Sequence, residues 1–487
     1  MRRPTRVRCL VALLTAAGCF GSLSGPARAT SGPPSLTLGD VVGGLQGAYP
    51  PLLAAEQERQ AAIQDRLQAE GGFDATLRSR LARTASSAYP QTRLDAQVEQ
   101  AIAVGGLTWF GGYRLGLGEF AGYDGKLETN QGGEVRAGVS LPLLRNGPID
   151  RRRATLLRAE QGLLVADATF RQQHLETART ASSRYWDWVA AGLRLRQTRQ
   201  VLEVAERRTT DLEVARRIGQ LPALEVLENQ RAVLQRRAQV FAAERSLVQS
   251  GIELGLYVRD GAGAPVDVGP DRLPAGLPEA RPPAPDENRA RDVALVTRPE
   301  VARIEAQVRM ARIEVDLNRN QTLPGLDLSL TGSQDLGAGS DRRTPAELEA
   351  GIGLEWPLQT RTLVGRLGSS EAQLARLEAQ QRFIRDRVRA DVRDTWNALN
   401  LARQRADLSG QERELAARLE TAERERFRIG EGTLFMVNLR EQATLDASLR
   451  EIDARSEQLK QQAALEVAMG LLPGQPPAPA KGSRLSG

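Results

Sequence analysis

Histidine and cysteine are almost missing from these 487 residues: there is one histidine, His174, and there are two cysteines, Cys9 and Cys19. A lone histidine excludes a Cys/His metal site and a histidine-activated nucleophile. P-loop, G-x-G-x-x-G and H-E-x-x-H patterns are also absent. The carboxylates are many but lie scattered along helical patterns, so neither an enzyme nor a cofactor is expected. Aromatic residues are only 4% of the chain, too few for an ordinary set of globular cores. The net charge of +6 contains no basic block interleaved with aromatics, which argues against a nucleic-acid partner. Past the N-terminus no run approaches the roughly 18 apolar residues of a membrane helix. A membrane crossing would have to use β-strands, and in lipid that means a closed barrel.

The N-terminus has its own pattern. Arg2, Arg3, Arg6 and Arg8 precede an apolar core from Leu10 to Phe20, and Ala27-Arg28-Ala29 is an A-x-A cleavage site. Residues 1–29 read as a signal peptide, which makes the mature chain thiol-free and exported. Cys19, preceded by Ala16-Ala17-Gly18, offers a competing lipidation site, although the usual Leu three residues before the Cys is Ala.

Proline is absent from Leu358 to Leu472 and again between Pro148 and Pro222. In the later stretch Ile384, Val388, Val392, Trp396 and Leu399 recur at three- and four-residue steps, continued by Leu415, Leu419 and Ala422. After Arg428-Ile429-Gly430 a second stripe runs through Leu445, Leu449, Ile452, Leu459, Ala463 and Val467. This spacing predicts an antiparallel hairpin of helices packed side by side, with arms ~100 Å long. The earlier stretch repeats it. An arm with Leu156, Ala159, Leu163, Ala166 and Phe170 on one face turns at Arg217-Ile218-Gly219. It returns through Val226, Val233, Val240, Leu247 and Leu254, spaced by seven, which implies left-handed supercoiling.

Alternating segments precede each hairpin. Around residues 73–83 and 134–143 apolar and polar residues alternate, most cleanly from Val135 to Leu143. Residues 325–331 and 348–358 do the same in the second half. Two strands per half make four. The Gly-rich segment between residues 84 and 133 holds Trp109, Phe110, Tyr113, Phe120 and Tyr123. Its hairpin from Leu94 to Val104, turning at Gly105-Gly106, either extends the strand set or caps it.

Trp186 matches Trp396, and Arg217-Ile218-Gly219 matches Arg428-Ile429-Gly430, so the chain reads as an internal duplication with a period of roughly 210 to 250 residues. The units are a first repeat at 30–260, a Pro/Gly-rich linker at 261–286, a second repeat at 287–472 and a Pro/Ala/Gly-rich tail at 473–487. The fold class is mainly α with β. Four strands cannot close a barrel, because the smallest outer-membrane barrels use about eight. Copies are therefore expected to join, two giving eight strands and three giving twelve, above a helical tube.

Arg426-Phe427-Arg428-Ile429-Gly430-Glu431-Gly432-Thr433, closing at Met469-Gly470-Leu471-Leu472, resembles the C-terminal repeat of TolC-family outer-membrane efflux proteins. Arg217-Ile218-Gly219-Gln220-Leu221-Pro222 resembles its N-terminal counterpart. Ser140-Leu141-Pro142-Leu143-Leu144-Arg145 with Asp150-Arg151-Arg152-Arg153-Ala154 is similar to the family's strand-to-helix passage, and Phe73-Asp74 to its first strand entry. The resemblance implies a homotrimer in outer-membrane lipid, with a twelve-stranded β-barrel and a periplasmic α-barrel. It also implies docking to a periplasmic adaptor and an inner-membrane pump, as in tripartite efflux or type I secretion. On that reading Arg217, Ile218, Gly219, Arg428, Ile429 and Gly430 form the adaptor-docking tip, and the substrate stays open. Glu225, Met436 and Leu439 are the aperture candidates, Met436 and Leu439 standing where some members carry acidic residues. The plainer readings are that Gly219 and Gly430 are helix C-caps and Glu225 a first-turn carboxylate favoured by the helix dipole. His174 is expected to pack and hydrogen-bond. A soluble periplasmic coiled-coil scaffold would explain the helices but not the strands.

Overall fold

The computed structural model describes residues 35–85, 88–220, 222–278 and 286–474. The signal segment with Cys19 and nearly all of the 473–487 tail lie outside them. Helices α1 (Leu38–Ala48) and α2 (Pro50–Glu70) lead into strands β1 (Thr76–Thr84), β2 (Gln91–Ala101), β3 (Thr108–Gly118) and β4 (Glu134–Pro142). Helices α3 (Arg151–Arg217) and α4 (Ala223–Gly255) follow. The second half runs α5 (Glu287–Thr297), α6 (Pro299–Gln321), β5 (Gly325–Asp335), β6 (Glu347–Glu355), α7 (Arg361–Arg428) and α8 (Leu434–Ala468).

Helix ends fall where local chemistry puts them. Pro50 and Pro51 occupy the first turn of α2, where no amide partner is needed, and Pro299 does the same in α6. Asp150 caps α3, its carboxylate accepting the Arg153 N–H at 2.9 Å, and Thr433 caps α8 by accepting the Met436 N–H at 3.3 Å. Between caps, α3 has 67 residues and α7 has 68, each ~100 Å at helical rise. The rods pack as a row, with α3 between α4 and α8, and α8 between α3 and α7. Nearer the sheet the neighbours of α3 are α2 and α6, and α6 also meets α7. The seven-residue stripe on α4 is buried along its length, with Val240, Leu247 and Leu254 packed into the cluster of Trp186, Trp188 and Val189. Each such side chain contributes about 1.5–3 kcal/mol by leaving water.

The Pro/Gly-rich connection is a tight strap for part of its length. Val268 and Leu273 press on α3 and α4. A Cβ on Gly251 would lie 2.7 Å from the Val268 carbonyl, and one on Gly255 2.6 Å from that of Val266. Only glycine admits a backbone that close. The same core takes Leu36, whose carbonyl accepts the Tyr185 hydroxyl at 2.9 Å. Burial pushes that phenol up to about 12.

The sheet corrects the expected strand count. It has six antiparallel strands in the order β1-β2-β3-β4-β5-β6, not four. The extra pair is the hairpin around Gly105 and Gly106, both with φ near +70°. It inserts between β1 and β4 rather than capping them. Glycine hid it: Gly111, Gly112, Gly116 and Gly118 dilute the apolar alternation of β3. Boundaries also move. A 3-10 turn at Gly71–Phe73 delays the first strand to Thr76, β5 runs on to Asp335, and β6 stops at Glu355 ahead of Pro357.

Candidate functional site

The two sequence-singled turns sit at the far end of the rods from the sheet, and each is a Schellman motif. The Gly219 N–H donates to the Arg216 carbonyl at 3.0 Å and the Gln220 N–H to that of Ala215 at 3.0 Å. Gly430 to Phe427 and Glu431 to Arg426 repeat the pattern at 3.1 and 2.9 Å. Gly219 has φ +79° and Gly430 +83°, a region that favours glycine. The fold brings the turns together. Leu212 and Val226 from the first hairpin pack with Leu434, Val437 and Phe427 from the second. Arg217 and Arg428 are exposed, and Ile218 and Ile429 remain more than half exposed (63% and 55%). Arg428 forks onto Glu425 at 2.6 and 2.9 Å.

The aperture candidates flank these turns. Glu225 is half-buried in the first turn of α4, and its Oε2 has no hydrogen-bond partner among the described residues. Met436 is half-buried and Leu439 half-exposed on the first two turns of α8. One protomer does not bring the three together around a passage.

Sequence reasoning missed the most developed polar cluster. Glu441 on α8 is only 2% exposed. It accepts from Arg208 of α3, from Arg236 of α4 at 2.7 Å and from Arg424 of α7 at 2.9 Å. Arg208 also donates to Asn438 at 3.0 Å. Burial pushes the Glu441 carboxyl up, but Arg208 and Arg236 outweigh it and hold the group below the ordinary carboxylate range. One carboxylate thus pins all four long helices about two turns above the tip. The available signal was a charged residue inside the apolar stripe Leu434, Val437, Leu445.

At the other end, the sheet has two chemically distinct faces. One row across all six strands reads Leu77, Val98, Gly111, Ala137, Gly332, Leu348, and the next face's row reads Arg78, Gln97, Gly112, Arg136, Ser333, Glu347. That apolar-out, polar-in alternation is the pattern of a barrel wall. The polar face is divided by sign. Strands β1 to β4 carry Arg78, Arg80, Arg93, Arg114 and Arg136 against Asp95, Glu99 and Glu134, whereas β5 and β6 carry Asp327, Asp335, Glu347, Glu349 and Glu355.

His174 is buried beside Phe170, its Nδ1 3.2 Å from the Gln46 amide. Burial lowers its pKa from the usual 6.5. Among the described residues no cluster of His, Cys, Asp or Glu could hold a metal, and no helix is long and apolar enough to cross a membrane.

A sheet with one apolar face beyond paired ~100 Å helical hairpins is a fold this chain shares with solved outer-membrane channels. The chain superposes on MtrE of Neisseria gonorrhoeae, an outer-membrane channel solved in its open state, with TM-score 0.62 and 14% identity over 89% of each chain. VceC of Vibrio cholerae gives 0.60 and 17%, covering 89% of this chain and 96% of that one, and CmeC of Campylobacter jejuni gives 0.58 and 13% over 96% of each. No match was found among curated proteins. Residues 290–471, in the second half of the chain, match the model of the outer membrane efflux protein family.

Proposed function

We propose that three copies close into a ring that passes solutes from the periplasm to the exterior, as the duct of a tripartite efflux or type I secretion system. The observation that carries this is that both ends of each protomer have open, mutually complementary edges. Among the described residues β1 and β6 lack an outer partner; the polar face of β1 presents Arg78 and Arg80, and that of β6 presents Glu347, Glu349 and Glu355. In the rods, the edge helices α4 and α7 each carry an exposed heptad: Leu227, Leu234, Phe241 and Val248 on one, Leu401, Leu408 and Leu415 on the other. Unlike edges that repeat head to tail generate a ring when the rotation closes, and closure is required because unpaired strand edges cannot stand in lipid. Three is the number usual among outer membrane efflux proteins, which work with an adaptor and a pump.

On this reading Ile218 and Ile429, displayed by the Gly219 and Gly430 turns between Arg217 and Arg428, form the adaptor-docking surface. Met436 and Leu439, with the Glu225 carboxylate, narrow the passage beside it. Fractionation tests the assembly directly: a heat-resistant oligomer in the outer membrane is expected, and a soluble monomer would overturn the proposal. For the constriction, Met436→Gly should raise conductance in planar bilayers, and an unchanged conductance removes Met436 from it.

A further inference from the structure

The six-stranded sheet implies a different pore from the one that four strands per subunit would build. Strand β2 is paired along all of β1, from Thr76 opposite Glu99 to Thr84 opposite Gln91, and β3 is paired with β4 from Thr108 opposite Ser140 to Arg114 opposite Glu134. The hairpin therefore stands in the wall. Its 11-residue strands are long enough to cross a bilayer at a tilt.

Its faces agree with those of its neighbours. Leu94, Ala96 and Val98 with Trp109, Tyr113, Leu115 and Leu117 continue the apolar face, and Arg93, Asp95, Gln97 and Glu99 the polar one. On the polar side Arg136 of β4 reaches across the Phe110 ring of β3, 5.9 Å from its centroid, to donate to Gln97 of β2 at 3.0 Å. Arg78 of β1 pairs with Glu99 at 3.0 Å. The turn is seated as well: a Cβ on Gly106 would lie 2.6 Å from the Asn146 carbonyl, in the passage from β4 to α3. The hairpin thus starts at the rod end of the sheet and runs its full height.

We propose, on the trimeric channel reading above, that each subunit contributes all six strands, so that the assembly is an eighteen-stranded barrel with the β2–β3 hairpin as one third of its wall. Circumference supports this. Near the sheet each subunit supplies four helices, and twelve helices ~9 Å apart need ~108 Å of perimeter. Eighteen strands ~4.8 Å apart at ~40° tilt make ~113 Å, whereas twelve would make only ~75 Å. The hairpin brings the wall to the perimeter of the tube below it. The outer-membrane exit then admits hydrated solutes as bulky as the tube itself can carry, past a lining enriched in Arg93, Asp95 and Glu99.

Electron cryomicroscopy of the purified assembly in lipid nanodiscs decides this. Eighteen strands are expected. A trimeric channel with twelve strands and the hairpin outside the wall overturns this inference alone, whereas a soluble monomer overturns the channel reading as well. Cysteine substitution gives a second, independent readout that leaves the fold intact. In proteoliposomes a membrane-impermeant maleimide should label Gln97→Cys at least ~10-fold faster than Val98→Cys, as alternate lumen and lipid faces require. Equal labelling of the two adjacent positions would overturn the proposal.

Discussion

The two halves of this chain share a plan and differ in three places. Both run a Pro-broken helix pair, strands, a long helix, a Gly turn and a return helix. The first half adds the β2–β3 hairpin, carries arginine on the polar face of its strands, and buries His174 at the level where the second half has Ile384. The second half carries only acidic charge on that face. Two like repeats would offer the same edge twice. Divergence in charge is what makes one edge fit the other, so the specificity of the ring arises from the unlikeness of the halves.

Cutting the union of the halves should have the largest effect. Glu441→Ala leaves Arg208 and Arg236 buried without their carboxylate and should cost about 3–5 kcal/mol, seen as a lower thermal midpoint. Glu441→Gln, which keeps the size and one accepting oxygen, should recover part of it. Next comes the seam. Leu408→Ala on α7 and Leu234→Ala on α4 should each weaken the assembled oligomer by about 2 kcal/mol while sparing the isolated protomer, measured as a shift in its dissociation temperature. Equal effects would support opposed edges; a loss from only one would break the pairing. The turns compare the halves most directly: Gly219→Ala and Gly430→Ala should each cost about 1 kcal/mol, because both place a Cβ at positive φ.

The smallest effect is acid sensitivity. Burial lowers the His174 pKa below its unfolded value, so the unfolded chain binds more protons between the two. Stability is therefore full above about pH 6.5 and falls as the pH drops through that window. His174→Ile, which copies the second half, should flatten the decline, read from chemical unfolding at pH 7 and pH 5.

Much of this was legible because periodicity survives translation into structure. Proline-free runs with apolar steps of three and four became α3 and α7, and strands such as Val135 to Leu141 alternate plainly. The β2–β3 hairpin was only half legible, since glycine keeps no record of which face it serves. The partners of Glu441 were illegible for another reason. Arginine and glutamate recur throughout the helices, and Arg208 and Arg236 lie 233 and 205 residues from their partner. Only folding selects which of many such pairs meet.

The strap over Gly251 and Gly255 has a mechanical consequence. It hoops the rods near mid-length, as an iron band holds staves, and Leu273 fixes it on α3 by resting against Gly192. From Gly192 to the end of α3 at Arg217 the packed rods extend about 38 Å further beyond the strap. Over that length a tilt of a few degrees of the bundle as a unit would become ångströms of travel at Ile218.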